Sequence, residues 1–281
     1  MSRSFLLIVL LLSSLGADEL RLATFNIRYD AQSDRGQRDW RARRDLVSET
    51  IRFMKPDVLG LQEVMDGQLR DLQKALLQFA IIGVARDDGK RSGEYAPLLV
   101  RKSRFEIDVH ESGTFWLSDT PEEAGSITWG NACTRVCTWA RLLDKKSGKA
   151  LYVFNTHWDH KGQPSREKSA ALIRERILAR KHLQEPVVVM GDFNASELSP
   201  EMKILADENG SFLKNAFLFC EPNEKRKGTF NNWSPDGGKG EMIDHLLVSP
   251  KFKVEEAEIV RRHREGQVPS DHFPVRVVCE W

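Results

Sequence analysis

The chain has 281 residues, room for one large domain or two small ones. Hydrophobic residues make up 41% and charged residues 30%, an ordinary globular balance that can fill a sizeable core. Lys and Arg number 42 against 41 Asp and Glu, and the resulting charge of +1 excludes a global field for nucleic acid or an anionic membrane. Any affinity for phosphate must be local.

The N-terminus, "MSRSFLLIVLLLSSLGA", places Arg3 before an apolar run and then small residues up to Ala17. The run is shorter than the roughly 20 apolar residues that span a bilayer. Its order suits a signal peptide over 1–17, with the mature chain starting near Asp18 and the protein exported to the periplasm or beyond. A retained anchor or a buried core helix is the alternative.

The mature chain then alternates strands and helices without a linker. "LRLATFNIR" predicts a strand over 20–28. "WRARRDLVSETIRFM" puts Leu46, Val47, Thr50, Ile51 and Met54 on one helical face, and Pro56 stops it. "DVLGLQEV" is a short buried strand over 57–64. Asp66 can cap a helix that buries Leu69, Leu72, Leu76 and Phe79. Strands follow near 80–85, 95–101, 105–109, 135–143 and 151–158. "PSREKSAALIRERILARKHL" predicts a helix with Leu172, Ile173, Ile177 and Leu183 on one side. A strand over 186–193, a short helix near 200–208 and three strands over 242–249, 252–260 and 274–280 close the chain. This order reads as one α/β domain over 18–281, β-rich inside with helices outside.

Four cysteines in a chain this long are not a disulfide scaffold. Cys133 and Cys137 fall in a probable strand, roughly 13 Å apart along an extended chain, too far to bond. With Cys220 and Cys279 they read as small buried hydrophobes.

Several buried runs end in residues able to do chemistry. "ATFN" ends in Asn26, "LGLQE" in Glu63, and "YVFNTH" in His157, with Asp159 and His160 beyond. "VVVMGDFN" ends in Asp192 and Asn194, which alternate along an extended chain and so project to one side. "MIDH" carries Asp244, and "PSDHFPV" offers Asp271 and His272. Any one of these could be a strand cap. Six such places in one chain, with scarcely a Lys among them, form a cluster of carboxylates that repel unless a cation sits between them. Hard oxygen donors point to Mg²⁺ or Mn²⁺ rather than to structural zinc.

In their order, "FNIR", "LGLQEV", "NTHWDH", "GDFNA", "IDHLLVS" and "SDHFPV" resemble the successive motifs of the endonuclease/exonuclease/phosphatase superfamily, and they cover nearly the whole mature chain. The segment "TFWLSDTPEEAGSITWGNA" is similar to a bacterial branch of it. The resemblance implies a four-layer α/β sandwich of two packed mixed β-sheets flanked by helices, a divalent metal and hydrolysis of phosphate esters. Matched position by position, Glu63 resembles the principal metal ligand, with Asn26 beside it and Asp271 in the same region. Asp192 resembles the residue that orients or deprotonates water, and Asn194 an amide donor near the phosphate. Asp244 and His272 resemble a carboxylate–imidazole pair, and His157 a further catalytic histidine. Arg28, Trp116, Arg135 and His160 are candidate substrate contacts, each with a structural alternative.

These residue types suit metal-dependent phosphodiester hydrolysis by in-line water attack. The alternatives are a phosphomonoesterase on a small sugar or inositol phosphate and a non-catalytic binding protein on the same scaffold. With basic residues interspersed among acids, a small or lipid-headgroup substrate is expected over long duplex DNA. A monomer without an obligate protein partner is expected. "GVARDDGKRSGEYAP" departs from the phosphate-binding loop pattern in spacing and has Arg91 where Ser or Thr belongs; it reads as a charged loop that can reach substrate through Glu94 or Arg91.

Overall fold

The computed structural model describes residues 19–206, 211–219, 228–237 and 240–281. The expected leader over 1–17, the last residues of the helix expected near 200–208, and Cys220 lie outside the described residues.

In chain order the elements are β1 (Glu19–Asn26), α1 (Trp40–Met54), β2 (Val58–Gln62), α2 (Asp66–Ala75), β3 (Phe79–Ile82), β4 (Leu98–Arg101), β5 (Phe105–Trp116), β6 (Val136–Asp144), β7 (Ala150–His157), α3 (Gln163–Leu178), β8 (Val187–Asp192), α4 (Pro200–Leu205), β9 (Lys214–Asn215), β10 (Asp244–Val248), β11 (Lys253–Ile259) and β12 (Val275–Glu280). They build two six-stranded mixed sheets, ordered β11-β12-β1-β2-β4-β3 and β5-β6-β7-β8-β10-β9.

Each sheet holds one parallel pair, β1 with β2 and β7 with β8. A parallel pair needs a crossover, and α1 and α3 supply the two. Both pairs therefore end at their carboxyl ends, which is where ligands gather in open α/β sheets.

The period-2 alternation of side chains sorts the core into layers. Leu20, Leu22, Val58, Val153, Val188, Met190 and Leu246 pack between the sheets. The opposite face of the first sheet, with Phe25, Leu59 and Leu61, packs on Val47, Ile51 and Met54 of α1 and Leu69 and Leu72 of α2. The outer face of the second sheet, with Phe154, Val187 and Val189, packs on Ala170, Ile173 and Ile177 of α3 and Met202 and Leu205 of α4. The architecture is thus the expected helix–sheet–sheet–helix sandwich.

Local chemistry sets the helix ends. The Asp39 carboxylate accepts from Arg41 N at 2.8 Å to cap α1, and Lys55 closes it in a left-handed turn before Pro56. Asp66 is the first residue of α2 rather than its cap; the cap is Met65, whose N–H donates to the Gln68 side chain at 3.0 Å. Phe79 belongs to β3, not to α2, since Leu76 already ends the helix. Helix α3 stops at Leu178, so Leu183 stands 55% exposed and off the apolar face. Strand β5 runs seven residues further than the sequence predicts. It is an edge strand with a register shift between Ile107 and Ser112, and its outward residues break the alternation.

Candidate active site

The strand ends converge on a cleft of about 750 Å³. Asp192 ends β8, pairs in register with His157 at the end of β7, and faces Asp244 at the start of antiparallel β10. Three of the residues that leave the strands here have left-handed backbones without being glycine: Arg28 (φ 57°), Glu63 (φ 58°) and Asn194 (φ 47°). Such strain costs about 1–3 kcal/mol per residue and is characteristic of functional sites.

Asn26 is fully buried beneath the cleft. Its amide donates to Glu63 Oε1 at 3.0 Å and to Asp192 Oδ2 at 2.9 Å, while its own oxygen accepts from Arg28 N at 3.0 Å. Asn26 therefore holds two carboxylates side by side, and its oxygen, which accepts from the Arg28 backbone, stands in the same cluster as Glu63. Glu63 Oε2 accepts from Tyr29 N at 3.1 Å. Asp271 sits across from Glu63, and the Arg28 guanidinium lies between them, 4.0 Å from Glu63 and 3.9 Å from Asp271.

Asp192 is 1% exposed. Burial, with Asp244 nearby, lifts its carboxyl to about 7. Asn194 N donates to Asp192 Oδ1 at 2.9 Å, and the Asn194 amide donates to Trp158 O at 3.0 Å while the residue lines the cleft. His272 Nδ1 donates to Asp244 Oδ2 at 2.8 Å, which leaves Nε2 facing Asp192 at 3.9 Å. Burial opposes a charge on His272, but Asp244, Asp192 and Asp271 outweigh it and hold the imidazole well above its usual value. His157 differs. Burial, then Arg135 and Arg86, push it well below, so it is a neutral ring with Nε2 3.5 Å from Asp192.

Arg135 and His160 line the cleft beyond His157, joined at 3.2 Å between Nη2 and Nδ1. Asp159, at the end of the same motif, is a loop brace: its carboxylate accepts from the backbone N–H groups of Ala132, Lys161 and Gly162. Trp116 does not reach the cleft. It is buried against Ala96 and Val136, and its indole donates to Arg86 O at 2.6 Å. Glu94 lines the cleft, tied to Arg86 at 2.7 Å, whereas Arg91 is exposed outside it.

Sequence reasoning missed Arg86 and the aromatic rim of Phe230 and Trp233. Arg86 sits in a charged loop with nothing to set it apart from solvated neighbours. The string "GTFNNW", with two aromatics around two amides, was the available signal for the rim.

The cluster suits a cation. Glu63, His157 and Asp192 offer ligand atoms within 4.8 Å of one another. Arg28 stands at the limit of ion-pair distance from Glu63 and Asp271, and the His272 imidazolium bears on Asp271. Carboxylates crowded in this way, one of them lifted to about 7, fit a hard divalent ion.

Residues 23–272 match the model of the Endonuclease/Exonuclease/phosphatase family, and the chain belongs to that family. Its members are generally hydrolases of phosphoesters. A family protein of known structure from Bacteroides vulgatus is 36% identical, with 94% of this chain and 99% of that one covered and a TM-score of 0.86. A second, from Bacteroides thetaiotaomicron, is 32% identical over 94% and 98% of the two chains, with a TM-score of 0.86. A mannosyl-6-phosphatase from the same bacterium is 33% identical over 93% and 100%, with a TM-score of 0.85.

Proposed function

We propose that the protein is a divalent-metal-dependent phosphoester hydrolase in which water attacks phosphorus in line with the leaving oxygen. The observation that carries this reading is Asp192, a buried carboxylate lifted to about 7 and held between Asn26, His157 and His272. A carboxylate so placed accepts a proton from water far more readily than a solvated one. Asn26 fixes its direction. His272, kept cationic by Asp244, turns Nε2 into the cleft where charge develops on the phosphoryl oxygens, and Asn194 and neutral His157 flank the same space.

Glu63 and Asp271 would hold Mg²⁺ or Mn²⁺, with Asn26 setting the direction of Glu63; the ion offsets charge on the phosphoryl and leaving oxygens. In this reading the protein works as an exported monomer on a small or lipid-headgroup phosphoester. Arg28, Arg38, Arg86 and Arg135 line its cleft among Asp34, Glu63, Glu94 and Asp271 and beside Phe230 and Trp233, a mixed lining that suits a small anion better than a long polyanion.

Among phosphoesters, a diester is the reading that the motif set favours. A monoester of a phosphorylated sugar is the second reading, favoured by the 33% identity to a mannosyl-6-phosphatase over 93% of the chain. A panel of monoesters and diesters with Mg²⁺, Mn²⁺ or EDTA tests the common claim. Chelation should abolish turnover and Mg²⁺ or Mn²⁺ restore it. Asp192→Asn should cost at least about a thousandfold, roughly 4 kcal/mol of barrier. Full activity in chelator, or an Asp192→Asn protein as fast as the parent, would reject the mechanism.

A further inference from the structure

Arg135 is 4% exposed, yet its Nε and Nη1 have no hydrogen-bond partner. Only Nη2 is engaged, by the His160 ring. Among the described residues no carboxylate pairs with it. Arg43, Arg104 and Arg166 differ, each having carbonyl or carboxylate partners. Arg43 donates to the carbonyls of Ile27, Arg28, Tyr29, Arg38 and Pro269, Arg104 pairs with Asp57 and Asp144, and Arg166 pairs with Glu201. A buried guanidinium with three N–H groups unused is costly unless something completes it. Arg135 also lines the cleft, so what completes it can come from solvent.

Its place decides the chemistry. Arg135 precedes β6 with its carbonyl accepting from Leu117 N at 2.8 Å, a fixed backbone. Its charge, with that of Arg86, bears on His157. His157 Nδ1 likewise has no hydrogen-bond partner, the nearest carboxylate oxygen, Glu94 Oε2, standing 3.9 Å away. A phosphoryl group in this cleft offers non-bridging oxygens to such unused donors. A monoester carries a third non-bridging oxygen and a second charge, whereas a diester carries an alkylated oxygen in its place, which is a poorer acceptor.

We propose that Arg135, backed by His160, binds the third non-bridging oxygen of a terminal phosphoryl group and makes this cleft select phosphomonoesters over phosphodiesters. This rests on the hydrolase reading above and chooses between its two substrate classes. Planar, bidentate recognition of this kind belongs to arginine rather than lysine.

The test uses the full protein with Mg²⁺ and three probes: inorganic phosphate, 4-nitrophenyl phosphate and bis(4-nitrophenyl) phosphate. In Arg135→Met, calorimetric phosphate affinity and monoester kcat/KM should each fall about a hundredfold, as for loss of one charged hydrogen-bonded contact. Diester kcat/KM should fall far less, by about threefold. Arg135→Lys should recover part of the phosphate affinity. The Tm of Arg135→Met should stay level or rise, because an unpartnered buried charge is removed. A lower Tm with equal losses on both esters would overturn the proposal and make Arg135 structural, as would unchanged phosphate binding. A parent protein that turns over neither ester yet binds phosphate through Arg135 would reject the hydrolase reading while keeping the anion site.

Discussion

The pairing of Asp244 with His272 typifies how single residues work here. The carboxylate is buried behind the ring, 2.8 Å from Nδ1, and sets both its charge and its orientation. The neighbouring imidazole shows the opposite use of burial. His245 Nε2 donates to Ala195 O at 2.9 Å, and Nδ1 accepts from the Asn215 amide at 3.1 Å, so the neutral ring is satisfied on both sides. Burial lowers its affinity for a proton below the ordinary value of 6.5. The unfolded chain then binds the proton first, and stability is lost as pH falls below about 6.5. Urea unfolding at pH 7.5 and 5.5 should show this loss in the parent and less of it in His245→Gln; identical pH slopes would contradict it. Motif strings pointed to Asn26, Glu63, His157 and Asp192 because each ends an apolar run, and to Asp244, Asp271 and His272 because they stand at or just before the start of one. They did not reveal that the Asn26 amide bridges Glu63 and Asp192, since a strand-end amide reads alike whatever its partners. Nor did they place Trp116, whose burial depends on Ala96 and Val136 packing around it.

At the scale of elements, two parallel pairs from two sheets must meet end to end for Glu63 to stand beside Asp192. Asn155 in β7 ties them. Its amide donates to Leu61 O and Pro97 O, both at 2.9 Å, and its oxygen accepts from Gln62 Nε2 at 2.7 Å. Gly60 leaves the space, because a Cβ there would strike the Asn155 amide. Gly191 lets β8 press against Thr156 with φ 151°, where a Cβ would meet the Thr156 carbonyl. Asn155→Ala should therefore leave buried polar groups unpaired and cost about 3 kcal/mol in urea unfolding. Activity should fall with it, although Asn155 lies outside the cleft. Parental stability and turnover would show that the sheets align without it. The strands that carry the site were legible because they are buried on both faces and read as apolar runs. The far half of β5 was not, since an edge strand with a bulge loses its alternation, and α3 was read too long because Leu183 continues the 3.6 period after the backbone has turned away.

At the scale of the molecule, the arrangement of two stacked sheets came from the ordered motifs. The stacking itself is a tertiary fact: period 2 tells a buried face from an exposed one, but not whether a helix or a second sheet covers it. A net charge of +1 gives no global field for a polyanion, and the cleft is lined by Phe230 and Trp233 as well as by arginines and carboxylates. In the proposed mechanism water attacks phosphorus in that cleft under the control of Asp192. Turnover of a phosphomonoester in ¹⁸O-labelled water, read by mass spectrometry of both products, tests it most directly. The account predicts one labelled oxygen in each released phosphate, none in the alcohol, and no labelled phosphate above background from Asp192→Asn; label in the alcohol, or undiminished labelled phosphate from the variant, would contradict it.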